Sequence, residues 1–267
     1  MPNYIYFIQN KNTESKYKDA VKDKVKNIQK NAKRNKNFFN DLTFYICDSY
    51  KNLGKKSFLT KYVSEHPKEF MFTGGMTIPA IENNNKKEII VRTSSEGIFN
   101  IERNKNVPDV TQAAIHEIGH QFDDFFGYCD SNIVEKVKKL PKDEDFTQEQ
   151  QSLYDKYLKK KDLSDTKIFK EAWKKDAENL GKCTLSNFMF KHGHMDYYIF
   201  DVDISDGVTA EEVENADMHR SEIFAQLFSY ALGEDDGQKK DIVTKFENCY
   251  KIIKQYIKQF LGIECSN

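Results

Sequence analysis

The first 108 residues combine short apolar alternations with one long amphipathic stretch. Apolar and polar residues alternate at positions 4–8, as is typical of a β-strand, whereas the lysine-rich residues 14–35 place Val21, Val25 and Ile28 at helical spacing. The pattern predicts strands at residues 4–8, 42–47, 76–81 and 88–92, a long helix at 14–35, a short helix at 57–64 and a turn at Gly74-Gly75.

The rest of the chain, residues 109–267, shows helical periodicity almost throughout. Helices are predicted at 109–127, 133–140, 148–161, 167–179, 209–232 and 241–260, with a loop or short strand at 192–207. Strands first and helices later indicate the α+β fold class. Since no repeat or low-complexity linker divides the chain, we expect a single domain over residues 1–267.

Composition and charge exclude several classes of protein. The 267 residues carry 41 basic and 42 acidic side chains, so a net charge of −1 gives no reason to expect a nucleic-acid partner. No apolar run reaches the roughly 18 residues of a membrane span. The five scattered cysteines form no CxxC pair, which disfavours a disulfide framework or a thiolate zinc site. The N-terminus lacks an export signal, so we expect a cytoplasmic protein or a mature, trimmed form.

The stretch HEIGHQFDD, residues 116–124, carries the strongest chemical signal. Capping signals at both ends predict a helix over 109–127. At about 100° per residue, His116, His120 and Asp123 lie on one face, while apolar and aromatic residues cover the remainder. Two imidazoles at positions i and i+4 can reach one tetrahedral ion, so the pattern predicts a zinc site.

Glu117 stands beside the two histidines in this motif. Zinc with three protein ligands keeps a position for water and lowers the pKa of that water to about 7. Glu117 could then take the proton of the water and pass it to a leaving amine. Gly119 costs about 1 kcal/mol relative to alanine inside a helix, and a close backbone neighbour would explain it.

A third ligand is expected on a later helix. The metzincin pattern fails, because it needs glycine and histidine where this chain has Asp123 and Phe126. A gluzincin takes a glutamate instead, and HRSEIFAQLFSYAL places His219, Glu222 and Gln226 on one face. Glu222 is the favoured candidate, with His219 and Asp123 as alternatives. Asp123 is expected rather to accept a hydrogen bond from a ligand histidine.

The segments HEIGHQFDDFFGY and SEIFAQLFSY together resemble the lethal-factor-like metallopeptidases, the family of the anthrax lethal factor catalytic domain. They are similar, more distantly, to the clostridial Pro-Pro endopeptidases. The family pattern is HExGH, two residues, Asp, and later E-x-x-A-E/Q. The resemblance implies a zincin-like fold, zinc bound by His116, His120 and Glu222, and Glu117 as general base. It also implies that residues 88–92 form an edge strand that pairs with an extended protein or peptide substrate.

One departure from the family pattern concerns the oxyanion. The family has a tyrosine seven residues before the glutamate ligand, where this chain has Asn215, and residues 130–217 form a longer, inserted segment. Tyr198 is the preferred replacement for the tyrosine hydroxyl, with Tyr197 or His219 as alternatives. The inserted segment is where we expect substrate specificity to arise.

These observations favour a zinc-dependent endopeptidase, and the resemblance implies a secreted protease or toxin. Two alternatives stay open. An intracellular regulatory HExxH protease would fit the absence of an export signal, and a catalytically silent domain of the same fold would bind a partner instead.

Overall fold

The structure is a computed structural model that describes residues 4–55, 57–66, 74–78, 86–93, 110–127, 136, 139–140, 147–158, 162–179, 217–235, 237 and 239–265. Within these ranges the fold is mixed α+β, as predicted, with one four-stranded sheet and eight α-helices. The predicted loop at 192–207 and most of the predicted helix at 133–140 lie outside the described residues.

The sheet contains the strands β1 (Tyr6–Gln9), β2 (Leu42–Cys47), β3 (Gly75–Thr77) and β4 (Lys87–Arg92) in the order β1-β2-β4-β3. The pairs β1–β2 and β2–β4 are parallel, and β3 runs antiparallel to β4. The predicted edge strand at 88–92 is therefore wrong, because β4 has a partner on each side. Within the described residues, β3 is the edge strand on this side of the sheet.

The helices are α1 (Ser15–Asn31), α2 (Phe58–Glu65), α3 (Val110–Phe126), α4 (Gln148–Leu158), α5 (Lys167–Asn179), α6 (Asp217–Ala231), α7 (Lys239–Lys245) and α8 (Glu247–Tyr256). Short 3-10 helices lie at Lys36–Phe39, Tyr50–Asn52 and Leu163–Asp165, and a π-helical turn at Ile257–Leu261 follows α8. None of the helices in the described ranges has the length and apolar character needed to cross a membrane.

Two predicted helices end or break earlier than expected. Helix α1 stops at Asn31 because the next residues turn toward the C-terminal part of the chain, where the amides of Lys33 and Arg34 both donate to the Leu261 carbonyl oxygen. The predicted helix at 241–260 is divided into α7 and α8 at Phe246, whose backbone is not helical and whose ring is fully buried.

Helix α3 packs against the sheet, α1 and α6. One face of the sheet, with Phe44 and Ile89, shares its hydrophobic core with α1 and α3, and the other face packs on α2. Helix α6 covers the side of α3 that is turned away from the sheet. Phe122, fully buried on α3, contacts the rings of Phe38 and Phe228, so one side chain joins the sheet side to the helical side.

Lys87, at the start of β4, gives a test of this packing. Its Nζ donates to the Phe38 carbonyl oxygen over 2.8 Å. Burial lowers the pKa of Lys87 from 10.5 to about 8, although the negative charge of Asp41 acts to raise this pKa. The folded state therefore binds fewer protons than the unfolded state between pH 8 and pH 10.5, and the free energy of unfolding should rise with pH across that interval.

We expect Lys87→Met to remove this pH dependence. Its stability relative to the unsubstituted protein should be greatest near pH 7 and should fall by about 1 kcal/mol by pH 10.5, after allowance for the partial exposure of Lys87. Denaturant titrations at pH 7, 8.5 and 10 measure the difference. Lys26→Met, at an exposed position on α1, is the control. Equal pH slopes for Lys87→Met and the unsubstituted protein would contradict the prediction.

Candidate metal centre

The close approach of α3 and α6 creates the site. Gly119 faces Ala225 on α6, and a Cβ at Gly119 would stand 2.8 Å from the Ala225 Cα atom and 3.0 Å from its carbonyl oxygen. The expectation of a close backbone neighbour at Gly119 is therefore confirmed. Since no side chain separates the two backbones here, Glu222 on α6 comes within reach of the histidines on α3.

His116, His120 and Glu222 converge on one point. The Nε2 atoms of the two histidines are 3.2 Å apart. Glu222 places one oxygen 3.1 Å from His116 Nε2 and the other 3.4 Å from His120 Nε2. Metal bonds of about 2.0–2.1 Å at tetrahedral angles separate ligand atoms by about 3.3–3.4 Å. The donor set and its spacing therefore fit a metal ion, and the group could hold one.

The outer nitrogens of both rings have partners that leave Nε2 available as a ligand. His116 Nδ1 lies 3.0 Å from Gln226 Oε1, which can only accept, so Nδ1 carries the proton. His120 Nδ1 lies 3.2 Å from the Ser221 hydroxyl. Metal-binding histidines ordinarily use the second nitrogen in this way, and such partners fix both the tautomer and the ring orientation.

The electrostatics of the three ligands favour a positive charge between them. Burial acts to lower the pKa of His120, but the charge and hydrogen bond of Glu222, together with the charges of Asp123 and Asp162, outweigh burial and raise that pKa above its ordinary value. The side chains of His116 and Glu222 are only 12% and 14% exposed, so water screens this attraction weakly. A proton or a metal cation can supply the charge.

Glu117 lies beside the ligands and against the sheet. It is 7% exposed, and burial raises its pKa to about 8, with Glu222 adding to the increase and His116 opposing it. A Cβ at Gly75 would stand 2.8 Å from both Cγ and Oε1 of Glu117. The absence of a side chain at Gly75 on β3 therefore makes the room that Glu117 occupies. The Gly74-Gly75 pair predicts only a turn, and no sequence pattern indicates this role for Gly75.

Asp123 does not take the position expected for it. The sequence predicted a direct hydrogen bond from a ligand histidine, but the Ser221 hydroxyl lies between Asp123 and His120. The Asp123 carboxylate accepts from the amide and the hydroxyl of Ser164, each over 2.7 Å. Burial raises the pKa of Asp123 to about 7, and Asp162 raises it further, whereas the two Ser164 hydrogen bonds lower it.

The other predicted site residues have a mixed outcome. Gln226, placed by its spacing on the same helix face as Glu222, does reach the site through His116. His219 falls in the first turn of α6, three residues before Glu222. Tyr198, Tyr197 and Asn215 lie outside the described residues, so the donor for the oxyanion stays a prediction.

Comparison with known proteins does not extend these observations. No protein-family model matches the chain, and no curated protein is significantly similar to it. Inferences about function therefore depend on the motif and on the geometry of the site.

We expect Glu222→Gln to abolish tight metal binding. The amide keeps the size of the side chain but removes the negative charge and the better donor oxygen. The loss of affinity should exceed the about 10–100-fold typical of removing an outer hydrogen-bond partner. Equilibrium competition with a chromophoric chelator measures it for Zn²⁺.

Glu88→Gln is the matched control for this measurement. Glu88 is a buried carboxylate on β4, 3% exposed, that accepts from the Tyr45 hydroxyl and does not belong to the candidate ligand group. Its variant should bind Zn²⁺ as tightly as the unsubstituted protein. Unchanged affinity in Glu222→Gln would instead exclude Glu222 as the third ligand.

Proposed function

We propose that this protein is a zinc-dependent endopeptidase. The observation that carries the proposal is the spacing of 3.1–3.4 Å among the ligand atoms of His116, His120 and Glu222, with Glu117 directly beside them. Two histidines and one carboxylate are the donor set of a hydrolytic zinc site that keeps one position open. The likeness of HEIGHQFDDFFGY and SEIFAQLFSY to the lethal-factor-like family supports the same reaction.

The metal, Glu117 and a hydrogen-bond donor each have a separate role in the proposed hydrolysis of a peptide bond. Zinc in such a site supplies Lewis acidity and lowers the pKa of a bound water to about 7. Glu117 takes one proton from the attacking water, whose oxygen bonds to the scissile carbonyl carbon. When the C–N bond breaks, Glu117 returns the proton to the leaving nitrogen, and the products are an amine and a carboxylic acid, which keeps the second proton of the water until it ionises. Tyr198, Tyr197 and His219 are the candidates for a hydrogen-bond donor to the oxyanion.

The substrate is proposed to bind extended along β3. Gly75–Thr77 is the edge of the sheet nearest Glu117, and an edge strand can pair with a peptide backbone. Gln121 of α3 holds this edge in place, because its Nε2 donates to Thr77 Oγ1 over 2.7 Å and to the Ile78 carbonyl oxygen over 2.8 Å. The helix that carries the motif and the proposed docking edge are thus joined directly.

The test is cleavage of a diverse peptide library by the zinc-loaded protein, with Glu117→Gln as the matched variant. We expect turnover to fall by about 10²–10⁴-fold in the variant, because the general base is lost, while the affinity for Zn²⁺ is retained. Mass spectrometry of the products gives the cleaved bonds. Equal cleavage by the variant would refute the mechanism, and tight Zn²⁺ binding without any cleavage would favour a silent binding domain.

A second prediction concerns the room that Gly75 leaves for Glu117. Gly75→Ala should displace the Glu117 carboxylate and lower kcat by at least about tenfold, since an error of about 1 Å in a catalytic group can cost 10²-fold. Gly74→Ala is the control, because the only described atom that a Cβ there would meet is the Ala113 Cβ, at 4.0 Å. Steady-state rates and thermal unfolding of both variants are compared. Equal kcat in the two variants would contradict the prediction.

A further inference from the structure

We infer that Ser164 and Asp123 position the ligand His120 through the Ser221 hydroxyl, so that part of the segment inserted between α3 and α6 belongs to the support of the metal centre. The inference rests on the metal centre of the proposed function, but not on any particular reaction there. It assigns a role to three residues, Ser164, Asp123 and Ser221, that do not themselves touch the metal.

The contacts form a continuous chain from the inserted segment to the ligand. Ser164 donates to Asp123 from its amide and from its hydroxyl, each over 2.7 Å. The Ser221 hydroxyl donates to Asp123 Oδ2 over 3.5 Å and lies 3.2 Å from His120 Nδ1. Asp123 is 1% exposed and Ser164 is 5% exposed, so bulk water does not compete for the two hydrogen bonds between them.

The direction of the hydrogen bonds decides which nitrogen of His120 can bind a metal. A serine hydroxyl has a single proton. When the Ser221 hydroxyl donates its hydrogen bond to the Asp123 carboxylate, its oxygen is left to accept a hydrogen bond from His120 Nδ1–H. The other ring nitrogen, Nε2, then presents a lone pair to the site. If Ser221 instead donated to Nδ1, the ring proton would move to Nε2, where it would block the metal position. Asp123 therefore selects the binding tautomer through Ser221.

A second contact ties the same turn to α6. Arg220, next to Ser221, is 1% exposed, and its Nη2 donates to Asp165 over 2.7 Å. The 3-10 helix Leu163–Asp165 thus contacts α3 through Ser164 and α6 through Asp165. Because α3 and α6 together carry His116, His120 and Glu222, this turn links the two helices at the end where the ligands lie.

The first test is the affinity of Ser221→Ala for Zn²⁺, measured by chelator competition on the full chain. We expect a loss of about 10–100-fold, as is typical when the outer partner of a ligand histidine is removed. Ser221→Thr restores a hydroxyl and should recover most of the affinity. Ser229→Ala is the matched control, because Ser229 is a fully buried serine on the same helix that donates to the Gln226 carbonyl oxygen. Unchanged affinity in Ser221→Ala, or an equal loss in Ser229→Ala, would overturn the inference.

The tautomer of His120 gives a readout that a purely structural role would not move. Long-range ¹H–¹⁵N spectra of the metal-free protein, at a pH where the ring is neutral, should show the proton on Nδ1. They should show a shift of the population toward Nε2–H in Ser221→Ala. This measurement decides the inference even if the unsubstituted protein binds no Zn²⁺, an outcome that would refute the proposed function alone. An unchanged tautomer would refute the positioning role.

A double-substitution cycle tests whether Ser164 acts through the same chain of contacts. Ser164→Ala removes one of the two hydrogen bonds to Asp123 and should weaken Zn²⁺ binding less than Ser221→Ala does. Residues in one hydrogen-bond network show non-additive effects. The double variant should therefore bind Zn²⁺ more tightly than the product of the two single losses implies. Strict additivity would show that Ser164 and Ser221 act independently.

Discussion

The contact between Gly119 on α3 and Ala225 on α6 is the constraint on which the rest of the site depends. Any side chain at Gly119 would overlap backbone atoms of Ala225, which cannot rotate away as a flexible side chain could. The two backbones can therefore approach this closely only because residue 119 has no side chain. Because α3 also packs on β3 and β4, the same contact fixes α6 relative to the sheet. The unfavourable helix propensity of one glycine is offset by this packing.

This packing gathers charged and polar groups where water is scarce. Glu117, Asp123 and Glu222 are all poorly exposed, and their carboxylates lie close to the two histidine rings. Isolated buried carboxylates are costly, and a protein retains them when they are paired or when they coordinate a metal. A divalent cation bound between these groups would therefore lower the free-energy cost of burying their negative charges. Buried carboxylates with raised pKa values, such as Glu117 and Asp123, cluster at functional sites.

Much of this arrangement follows from local sequence patterns, and the parts that do not follow depend on contacts between distant segments. The i, i+4 spacing of His116 and His120 and the helical spacing of Glu222 and Gln226 are local properties, so the sequence could predict them. The edge strand was misassigned because both flanking strands of β4 are set by tertiary pairing. The three consecutive apolar residues at 89–91 were in fact a signal for a strand buried on both faces.

The roles of Ser221 and Ser164 could not be predicted from the sequence. A single serine carries almost no pattern, and its importance arises only because residues 123, 164 and 221, far apart in the chain, meet in the folded protein. Gly75 is similar, since its neighbour Glu117 lies 42 positions later and no periodicity connects them. Residues whose role is to leave space or to orient another side chain are therefore found from coordinates and seldom from sequence.

These contacts suggest a second role for the segment between α3 and α6, which is to support the candidate metal centre. A long segment beside a candidate site is usually interpreted as a determinant of specificity. Here its turn at Leu163–Asp165 contacts α3 through two buried hydrogen bonds to Asp123, and it contacts α6 through a partly buried hydrogen bond from Arg220. A segment that only shaped a substrate cleft would not need to reach a carboxylate behind a ligand histidine. A histidine that binds a metal must be held in one position and in one tautomer, and its outer hydrogen-bond partner does both. For His120 that partner is the Ser221 hydroxyl, which lies between the ring and Asp123. The contacts of Ser164 with Asp123 are therefore a support that the segment between α3 and α6 can add to the candidate metal centre.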